Sequence, residues 1–329
     1  MNVPDAPPPA GGLVTLGETM GLLNPTEIGP LHHAPEFRMT VAGAESNVAI
    51  AARRLGVPAT WIGKVGDDEV GDLIERELRA EDVRTLALRA PDAPTGLMLK
   101  TRRIGHLTSV TYYRAGSAGA RLEAADLDDD VIAAASVLHL TGITPALGAA
   151  PAAAVRAAIE IARAHDVPVS FDVNYRARLW AAAEAGPVLR DLVKQVDVVF
   201  ASEHEAALLS GAHDESSTPY DPDDLARGLA ELGPGEVVIK RGARGCVALV
   251  DGGWHRLDAL RVQLVDPVGA GDAFVGGYLA ELASGRDAAT RLRTATAAGA
   301  FAVGIRGDWE GLPRRHELAL LTSADDVVR

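Results

Sequence analysis

Cysteine and lysine are scarce in this sequence, which has one cysteine and four lysines in 329 residues. A lone cysteine excludes an internal disulfide framework and a cysteine-based zinc cluster, and it makes a reducing cytoplasm the expected compartment. The net charge is −13, so the chain lacks the basic face that a general binder of nucleic acid or anionic membranes needs. We therefore expect no nucleic-acid or membrane partner, and local positive charge must come almost wholly from arginine.

Long apolar runs are also missing. No stretch reaches about 18 apolar residues without a charge, so we expect no transmembrane helix. Residues 1–11 lack the basic and then apolar pattern of a secretory signal, and four of the first ten residues are proline. This composition predicts a disordered N-terminal tail over residues 1–11.

The rest of the chain alternates short β-rich runs with longer helical patterns. Strands are predicted at residues 13–17, 60–65, 137–140, 167–173, 196–200 and 237–240, and a hairpin at 246–250 and 254–257. Helices are predicted at residues 45–55, 68–80, 152–165, 272–283 and 287–303. The alternation predicts βαβ crossovers and a mostly parallel sheet with helices on both faces.

Two segments, at about residues 20–42 and 95–115, do not fit this alternation. The second contains two alternating runs on either side of a predicted turn at Gly105, which is typical of a β-hairpin. A hairpin inserted between αβ units often covers the crevice at the carboxyl ends of the strands. We therefore predict that these segments form a lid.

The most specific motif covers residues 266–272, DPVGAGD, before an apolar helical pattern. The small residues Gly269, Ala270 and Gly271 permit a tight turn whose N–H groups form an anion site at a helix start. Asp272 then lies beside that site, where a carboxylate could accept the proton of an attacking hydroxyl. Taken alone, the string is also compatible with a simple turn in which Asp272 caps the helix.

Other nucleotide-binding and catalytic motifs are absent. A G-x-G-x-x-G pattern fails because Phe274 stands where its third glycine would be, and the Gly63-Lys64 pair is followed by Val65 rather than Ser or Thr. The sequence also has no G-x-S-x-G serine elbow. These absences argue against a Rossmann dehydrogenase, a Walker-type NTPase and a serine hydrolase.

A second glycine element, VAGAESN at residues 41–47, opens a predicted helix. Its small residues Gly43 and Ala44 would let a polyol approach the backbone, and Asn47 offers both a donor and an acceptor. Alone, it is compatible with an ordinary helix N-terminus. Together, the two elements resemble the two signature regions of the ribokinase-like (PfkB) carbohydrate kinases, and the resemblance covers residues 13–321.

This resemblance implies an α/β fold: a three-layer α/β/α sandwich with a mostly parallel central sheet and a small β-strand lid, forming one kinase domain over residues 12–329. It also implies phosphorylation of a sugar hydroxyl with ATP and Mg²⁺ as cofactors. Asp272 would be the general base, and the amides from Gly269 through Ala270 and Gly271 to Asp272 would form the anion hole. Because lids in this family often join subunits, the resemblance implies a homo-oligomer, a dimer or higher.

Within the family, the strings at residues 111–119, 138–147, 172–176 and 306–308 resemble those of 2-keto-3-deoxygluconate kinases. A sugar acid needs a carboxylate-binding group, and arginine suits bidentate carboxylate binding. The resemblance assigns the following residues to the sugar: Gly43, Ala44, Asn47, Met98, Tyr112, Arg114, Arg176, Asp272 and Asp308. Without it, Arg114 could be a solvated charge at a strand edge, and Tyr112 could simply pack the hairpin.

The nucleotide contacts implied by the resemblance centre on a K-x-G-x-x-G string after a predicted strand. The residues assigned to the nucleotide are Asn174, Arg176, Ser202, Glu205, Lys240, Gly242, Gly245, Gly269 and Gly271. Residues 297–308 would lie near adenine or the sugar, and Glu205 would contact the metal through water. On the residues alone, the K-x-G-x-x-G string could be a basic β turn.

Two positions depart from the family pattern. Met98 stands where these kinases commonly have a tyrosine in a T-G-x-x-L string, and Ser202 replaces the asparagine of an N-x-x-E string that keeps Glu205. The loss of a neutral hydrogen bond at Met98 would be worth about 0.5–1.5 kcal/mol. The related sugar acid 2-keto-3-deoxygalactonate therefore stays an alternative substrate.

These observations predict an ATP-dependent kinase acting on the C6 hydroxyl of 2-keto-3-deoxygluconate. One rival is a kinase of the same fold for a neutral sugar such as fructose or ribose, which would not need two arginines in its site. The other rival is a non-catalytic sugar-acid sensor, against which the intact turn and Asp272 argue.

Overall fold

The computed structural model describes residues 11–104, 107–210 and 220–322. The predicted tail, apart from Gly11, and the predicted turn at Gly105 lie outside these residues. The strands are β1 (Leu13–Leu16), β2 (Met20–Pro25), β3 (Phe37–Ala42), β4 (Ala59–Gly66), β5 (Arg84–Ala90), β6 (Leu97–Ile104), β7 (Leu107–Tyr113), β8 (Val137–Thr141), β9 (Val169–Asp172), β10 (Val198–Ser202), β11 (Glu236–Lys240), β12 (Cys246–Val250) and β13 (Gly253–Leu257). The α-helices are α1 (Ala44–Arg54), α2 (Glu69–Ala80), α3 (Asp129–Ala133), α4 (Ala149–Ala164), α5 (Ala182–Val193), α6 (Glu203–Ser210), α7 (Pro222–Ala230), α8 (Ala270–Ala283) and α9 (Ala288–Val303).

The large sheet has the strand order β13-β12-β11-β10-β9-β8-β1-β4-β5. Its pairs are parallel from β11 to β5, and β12 and β13 add an antiparallel edge. Strand β10 shows how both faces are covered: Val198 and Phe200 belong to one hydrophobic cluster, and Val199 and Ala201 to the other. This two-sided burial confirms the predicted three-layer sandwich, because alternate residues of a strand point to opposite faces.

The two clusters receive different helices. Residues of α1, α2, α8 and α9 pack in the first cluster, and residues of α3, α4, α5, α6 and α7 pack in the second. The Asp68 side chain caps the start of α2 by accepting a hydrogen bond from the Gly71 amide. At the end of α1, Gly56 adopts a φ of 87°, the left-handed conformation that glycine favours after a helix.

The edge hairpin β12–β13 confirms the hairpin predicted at residues 246–250 and 254–257. Asp251 and Gly252 have φ angles of 49° and 75°, and Val250 pairs with Gly253. Two consecutive residues with positive φ are the requirement of a two-residue hairpin turn that matches the strand twist.

A second, four-stranded sheet has the order β3-β2-β6-β7. It is mixed: β2–β3 and β6–β7 are antiparallel, whereas β2–β6 is parallel. Both segments that interrupted the αβ alternation supply its strands. One face buries Met20, Leu22 and Met98 in a small cluster of its own. Among the described residues, no helix has the length and apolarity to span a bilayer.

Candidate active site

The carboxyl ends of the parallel strands lie together along one side of the large sheet, and three charged residues are found there. Glu18 follows β1, Asp172 ends β9 and Lys240 ends β11. Lys240 Nζ lies 2.6 Å from Asp172 Oδ2 in a partly buried ion pair. Burial works against the lysine charge, but the carboxylates of Asp172 and Glu205 outweigh it and raise the Lys240 pKa. Lys240 therefore stays protonated at the carboxyl ends of the strands, where α/β sheets bind ligands.

The glycine turn before α8 has the geometry of an anion site. Gly269 caps α8 with a φ of 79°, so the helix begins at Ala270. A Cβ added at Gly269 would lie 1.9 Å from the main-chain oxygen of Asp308, so only glycine fits there. The amides of Gly271 and Asp272 fall in the first helical turn, where they have no acceptor within the helix. They are thus placed to bind an anion at the positive end of the helix.

Asp272 lies beside this turn with its carboxylate held by the other glycine element. Asn47 Nδ2 donates to Asp272 Oδ2 at 2.8 Å, across 225 residues of chain. Burial raises the pKa of Asp272 to about 7, although the Asn47 hydrogen bond works in the opposite direction. A carboxylate with a pKa near neutral is suited to act as a general base. The Asp272 carboxylate therefore joins α8 to α1 instead of contacting only its own helix.

A cleft of about 420 Å³ opens between the small sheet and the carboxyl ends of the strands of the large sheet. It is lined by every residue that the sequence assigned to the sugar, namely Gly43, Ala44, Asn47, Met98, Tyr112, Arg114, Arg176, Asp272 and Asp308. The Oδ1 atoms of Asn47 and Asp172 are buried there without a hydrogen-bond partner among the described residues. A buried polar atom without a partner indicates a place for a ligand group.

Arg114 lines the cleft, as the resemblance implied, and it also has a protein partner that the sequence did not indicate. It is neither a solvated strand-edge charge nor a guanidinium without a partner, because it is 9% exposed and its Nε donates to Glu18 Oε2 at 2.7 Å. A second contact joins Arg114 Nη2 to the same oxygen. Glu18 also accepts from Ser117 Oγ, and Gly96 and Gly119 leave the space that its side chain fills.

Asp308 lines the cleft as predicted, but it also belongs to an ion-pair cluster that the sequence did not indicate. Lys100 Nζ, on β6, lies 3.0 Å from Asp308 Oδ1 and 2.8 Å from Asp266 Oδ2. Burial raises the pKa of Asp308, and the Lys100 ammonium counteracts this effect. A lysine within an alternating strand pattern gives no indication that it pairs with two distant aspartates, so the sequence did not predict this contact.

Ser202 and Glu205 form the start of α6, where each accepts a hydrogen bond from the other's amide. Glu205 Oε2 accepts from the Ser202 amide at 2.7 Å, and Oε1 accepts from the Tyr175 amide at 2.9 Å. Ser202 Oγ in turn accepts from the Glu205 amide. This reciprocal cap explains why serine serves here in place of asparagine. No cluster of three or more potential protein ligands for a metal occurs within the described residues.

Glu45 is another residue that the sequence analysis missed. It is buried in the first turn of α1, lines the cleft, and accepts hydrogen bonds from Thr141 and Thr144. Burial raises its pKa, and these hydroxyls act in the opposite direction. The sequence did offer one indication of this role, because Glu45 lies between Gly43 and Asn47 in the glycine element at residues 41–47.

A second cleft, of about 450 Å³, lies on the other side of the turn. Its lining includes Lys240, Gly242, Gly245, Ala270 and Gly271 of the predicted residues, together with Ala243, Ala259, Leu260, Val262, Leu264, Pro267, Phe274, Thr296, Gly299, Ala300 and Val303. Leu260, Val262 and Leu264 are 37–51% exposed, so this wall presents apolar surface that a flat base could cover. The two clefts share Lys240, Pro267 and Gly271, which places the anion site at their junction.

The sequence is similar over nearly its full length to relatives that are named as kinases. It is 38% identical over 317 residues to a 2-dehydro-3-deoxygluconokinase of Thermoproteus tenax, covering 95% of this chain and 94% of that enzyme. It is 33% identical to a 2-dehydro-3-deoxygalactonokinase of Haloferax volcanii, covering 90% and 92% respectively. The 2-dehydro names denote the same compounds as the 2-keto names used above.

Solved structures show the same fold. A 2-dehydro-3-deoxygluconokinase of Thermotoga maritima superposes with a TM-score of 0.85 at 28% identity, covering 94% of this chain and 97% of that one. An Escherichia coli protein described as a ribokinase II, in complex with ATP and Mg²⁺, gives a TM-score of 0.86 at 28% identity, covering 95% and 99%. The family model for the pfkB family carbohydrate kinases matches residues 11–315. On this match, and with both signature elements meeting at Asp272, the chain belongs to the pfkB family of carbohydrate kinases.

Proposed function

We propose that this protein transfers the γ-phosphoryl group of ATP to the C6 hydroxyl of 2-keto-3-deoxygluconate, giving 2-keto-3-deoxy-6-phosphogluconate. One observation carries the proposal: the Asp272 carboxylate borders the sugar cleft beside the amide turn at which the two clefts meet. The names of the T. tenax and T. maritima relatives support the choice of sugar acid.

In this mechanism Asp272 accepts the proton of the C6 hydroxyl as that oxygen attacks the γ-phosphorus in line. Asn47 holds Asp272 Oδ2 and so fixes the direction of the carboxylate. Phosphoryl transfer needs little covalent chemistry from the protein, so positioning and charge stabilisation supply most of the catalysis. The raised pKa of Asp272 makes its ionised form a stronger base than an ordinary aspartate.

The nucleotide occupies the second cleft, with its base against the apolar wall of Leu260, Val262 and Leu264 and its phosphates at Gly271. The amides of the turn and the Lys240 ammonium stabilise the negative charge that develops during transfer. Mg²⁺ fits water-mediated contacts with Glu205 and Asp172, because both Glu205 oxygens already accept main-chain bonds whereas Asp172 Oδ1 has no partner among the described residues. Bound with the phosphates, it would neutralise their charge.

The small sheet acts as the lid of the sugar cleft, since Met98, Tyr112 and Arg114 line that cleft from its side. Closure excludes water and so limits idle hydrolysis of ATP. The Arg114 guanidinium contacts the acid or keto end of the sugar while Glu18 fixes its plane. Arg176, which is exposed at the cleft, contacts the acid, a phosphate or both. Assembly of subunits through the lid and a cytoplasmic location remain predictions from the sequence.

A second candidate substrate is 2-keto-3-deoxygalactonate. Met98 occupies the position where a tyrosine hydroxyl is common in the family, and its apolar side chain offers the sugar no hydrogen bond that would select one configuration. The H. volcanii relative carries the corresponding name.

A coupled assay of ADP formation with a panel of sugars tests the proposal. We expect the highest kcat/KM for 2-keto-3-deoxygluconate or 2-keto-3-deoxygalactonate, and much lower values for fructose and ribose. The Asp272→Asn variant is the matched control for contaminating kinases. A preference for a neutral sugar would overturn the sugar-acid assignment, and tight sugar-acid binding without ADP formation would support a sensor instead.

A further inference from the structure

The Lys100 ammonium lies at the contact between the lid and the anion turn. Its side chain is 2% exposed on β6, and Nζ contacts Asp266 at 2.8 Å and Asp308 at 3.0 Å. The neighbouring Arg102 Nη2 donates to the Val265 carbonyl at 2.8 Å, so β6 runs along the segment that leads into the turn. A lid strand is thus anchored at the start of the phosphate-binding motif.

Both aspartates that contact Lys100 also lie against the turn. Asp266 Oδ1 accepts from the Val268 amide at 3.2 Å, within the motif itself. Asp308 approaches the turn from the other side, because a Cβ added at Gly269 would lie 1.9 Å from its main-chain oxygen. Movement of either aspartate would therefore move the amides that follow Gly269.

The two carboxylates are buried close together and require a cation between them. Asp266 and Asp308 are 1% and 8% exposed. Both contact the same nitrogen of Lys100, so their like charges lie close enough to repel each other. Burial alone would lower the pKa of Lys100, but the carboxylates of Asp308 and Asp266 outweigh burial and raise it. Lys100 therefore carries its positive charge at neutral pH.

We propose that Lys100 is a positioning residue for phosphoryl transfer, whose ammonium holds Asp266 and Asp308 together and thereby fixes the amide turn beside Asp272. This inference rests on the proposed kinase function but not on which sugar is the substrate. It makes the anion site depend on a cation supplied by the lid. Lys100 lies outside the residues that contact either cleft.

The test is chemical rescue. In Lys100→Ala, the space left by the side chain admits a small ammonium ion, and the two carboxylates attract it. We expect kcat to fall by about 10²-fold, the scale of a misplacement of about 1 Å at a reacting centre. Ammonium or methylammonium chloride should bring the kcat of Lys100→Ala back to at least a tenth of the wild-type value. Sodium chloride at the same ionic strength should not. Lys100→Met, which fills the space without a charge, should lose kcat and show no rescue.

Lys64→Ala is the matched control. Lys64 also pairs with two carboxylates, lying 2.7 Å from Asp126 and 3.6 Å from Glu123, but away from both clefts. This variant should keep its kcat and show no response to ammonium. Equal responses of the two alanine variants would overturn the proposal.

Unchanged kcat in Lys100→Ala, or a loss that no ammonium ion restores, would also overturn it. If Lys100→Ala does not fold, the comparison of Lys100→Arg with Lys100→Met decides, because the proposal requires arginine to retain kcat and methionine to lose it. All rates are measured with the sugar that the wild-type protein phosphorylates best. A failed sugar-acid assignment therefore stays distinguishable from a failed role for Lys100.

Discussion

At the scale of single residues, the ionisation of Asp272 links burial to catalysis. Only the ionised carboxylate accepts a proton, and burial raises its pKa to about 7. We expect kcat/KM to rise with pH and to level off above about pH 7. In Asn47→Ala this rise should move to higher pH, because the lost hydrogen bond favoured the ionised form. A pH profile of kcat/KM for both proteins measures this, and an unmoved rise would contradict the assignment.

The same pKa shift predicts a stability effect of Asp272→Asn. A carboxyl group with a raised pKa in the folded state stabilises the fold in acid, and that contribution is lost as the pH rises through about 7. At pH 8 the ionised group therefore opposes folding. We expect Asp272→Asn to have a higher Tm than the wild type at pH 8, while kcat falls at least about 10²-fold. A near-normal kcat would remove Asp272 from the mechanism.

The Glu18–Arg114 pair predicts a large cost for removing one buried partner. Glu18→Ala leaves a buried guanidinium without its carboxylate, and the free energy of unfolding should fall by about 3–5 kcal/mol. Glu123→Ala is the control, because Glu123 is 58% exposed in its contact with Lys64 and such pairs are worth about 0–1 kcal/mol. Urea unfolding measures both variants, and similar losses would show that burial of the pair is unimportant.

At the scale of elements, the two ends of α8 offer a matched glycine pair. Gly269 and Gly285 have φ angles of 79° and 67°, but an added Cβ meets the Asp308 backbone at Gly269 and nothing within 4 Å at Gly285. Gly285→Ala should cost only the left-handed strain of about 1–2 kcal/mol and keep kcat. Gly269→Ala should displace the anion turn and lose most of the activity. Comparable kcat values in the two variants would show that the turn does not bind the transferred group.

Elements with strong local patterns were predictable from the sequence. Helix α2 has a capping aspartate, and the β12–β13 turn has residues suited to positive φ, so both were located closely. Strand β5, RTLALRA, was not predicted individually, because its short apolar run lies between two arginines and shows no clear alternation. The five-residue helix α3 is too short for a periodic pattern, and its stability comes from packing and its Asp128 cap.

At the scale of the whole molecule, the sequence predicted which residues line the site better than it predicted their partners. Asn47 and Asp272 were both assigned to the sugar because each belongs to a signature element, but the hydrogen bond between them was not predicted. The partners of Arg114 and Asp308 lie 96 and 208 residues away, on Glu18 and Lys100. Nothing local to those residues indicates such pairings, because the order of the strands in the two sheets sets them.

Lid closure predicts a change that is confined to one sheet. With a sugar acid and a non-hydrolysable ATP analogue bound, we expect slower amide hydrogen exchange in β6 and β7, which border the sugar cleft. The β12–β13 hairpin belongs to the large sheet and serves as the internal control. Hydrogen-exchange mass spectrometry compares the two, and equal slowing in both would indicate general stabilisation by ligand rather than closure.

The walls of the second cleft also bear on which nucleoside triphosphate the protein uses. Leu260, Val262, Leu264 and Phe274 give contact area without hydrogen bonds to the edge of a base, and Lys240 and Thr296 are the two described side chains in the lining that can form one. An apolar slot discriminates weakly between ligands of similar shape, whereas a polar one rejects them strongly. Guanosine and inosine triphosphates should therefore serve as phosphoryl donors with only modestly reduced efficiency.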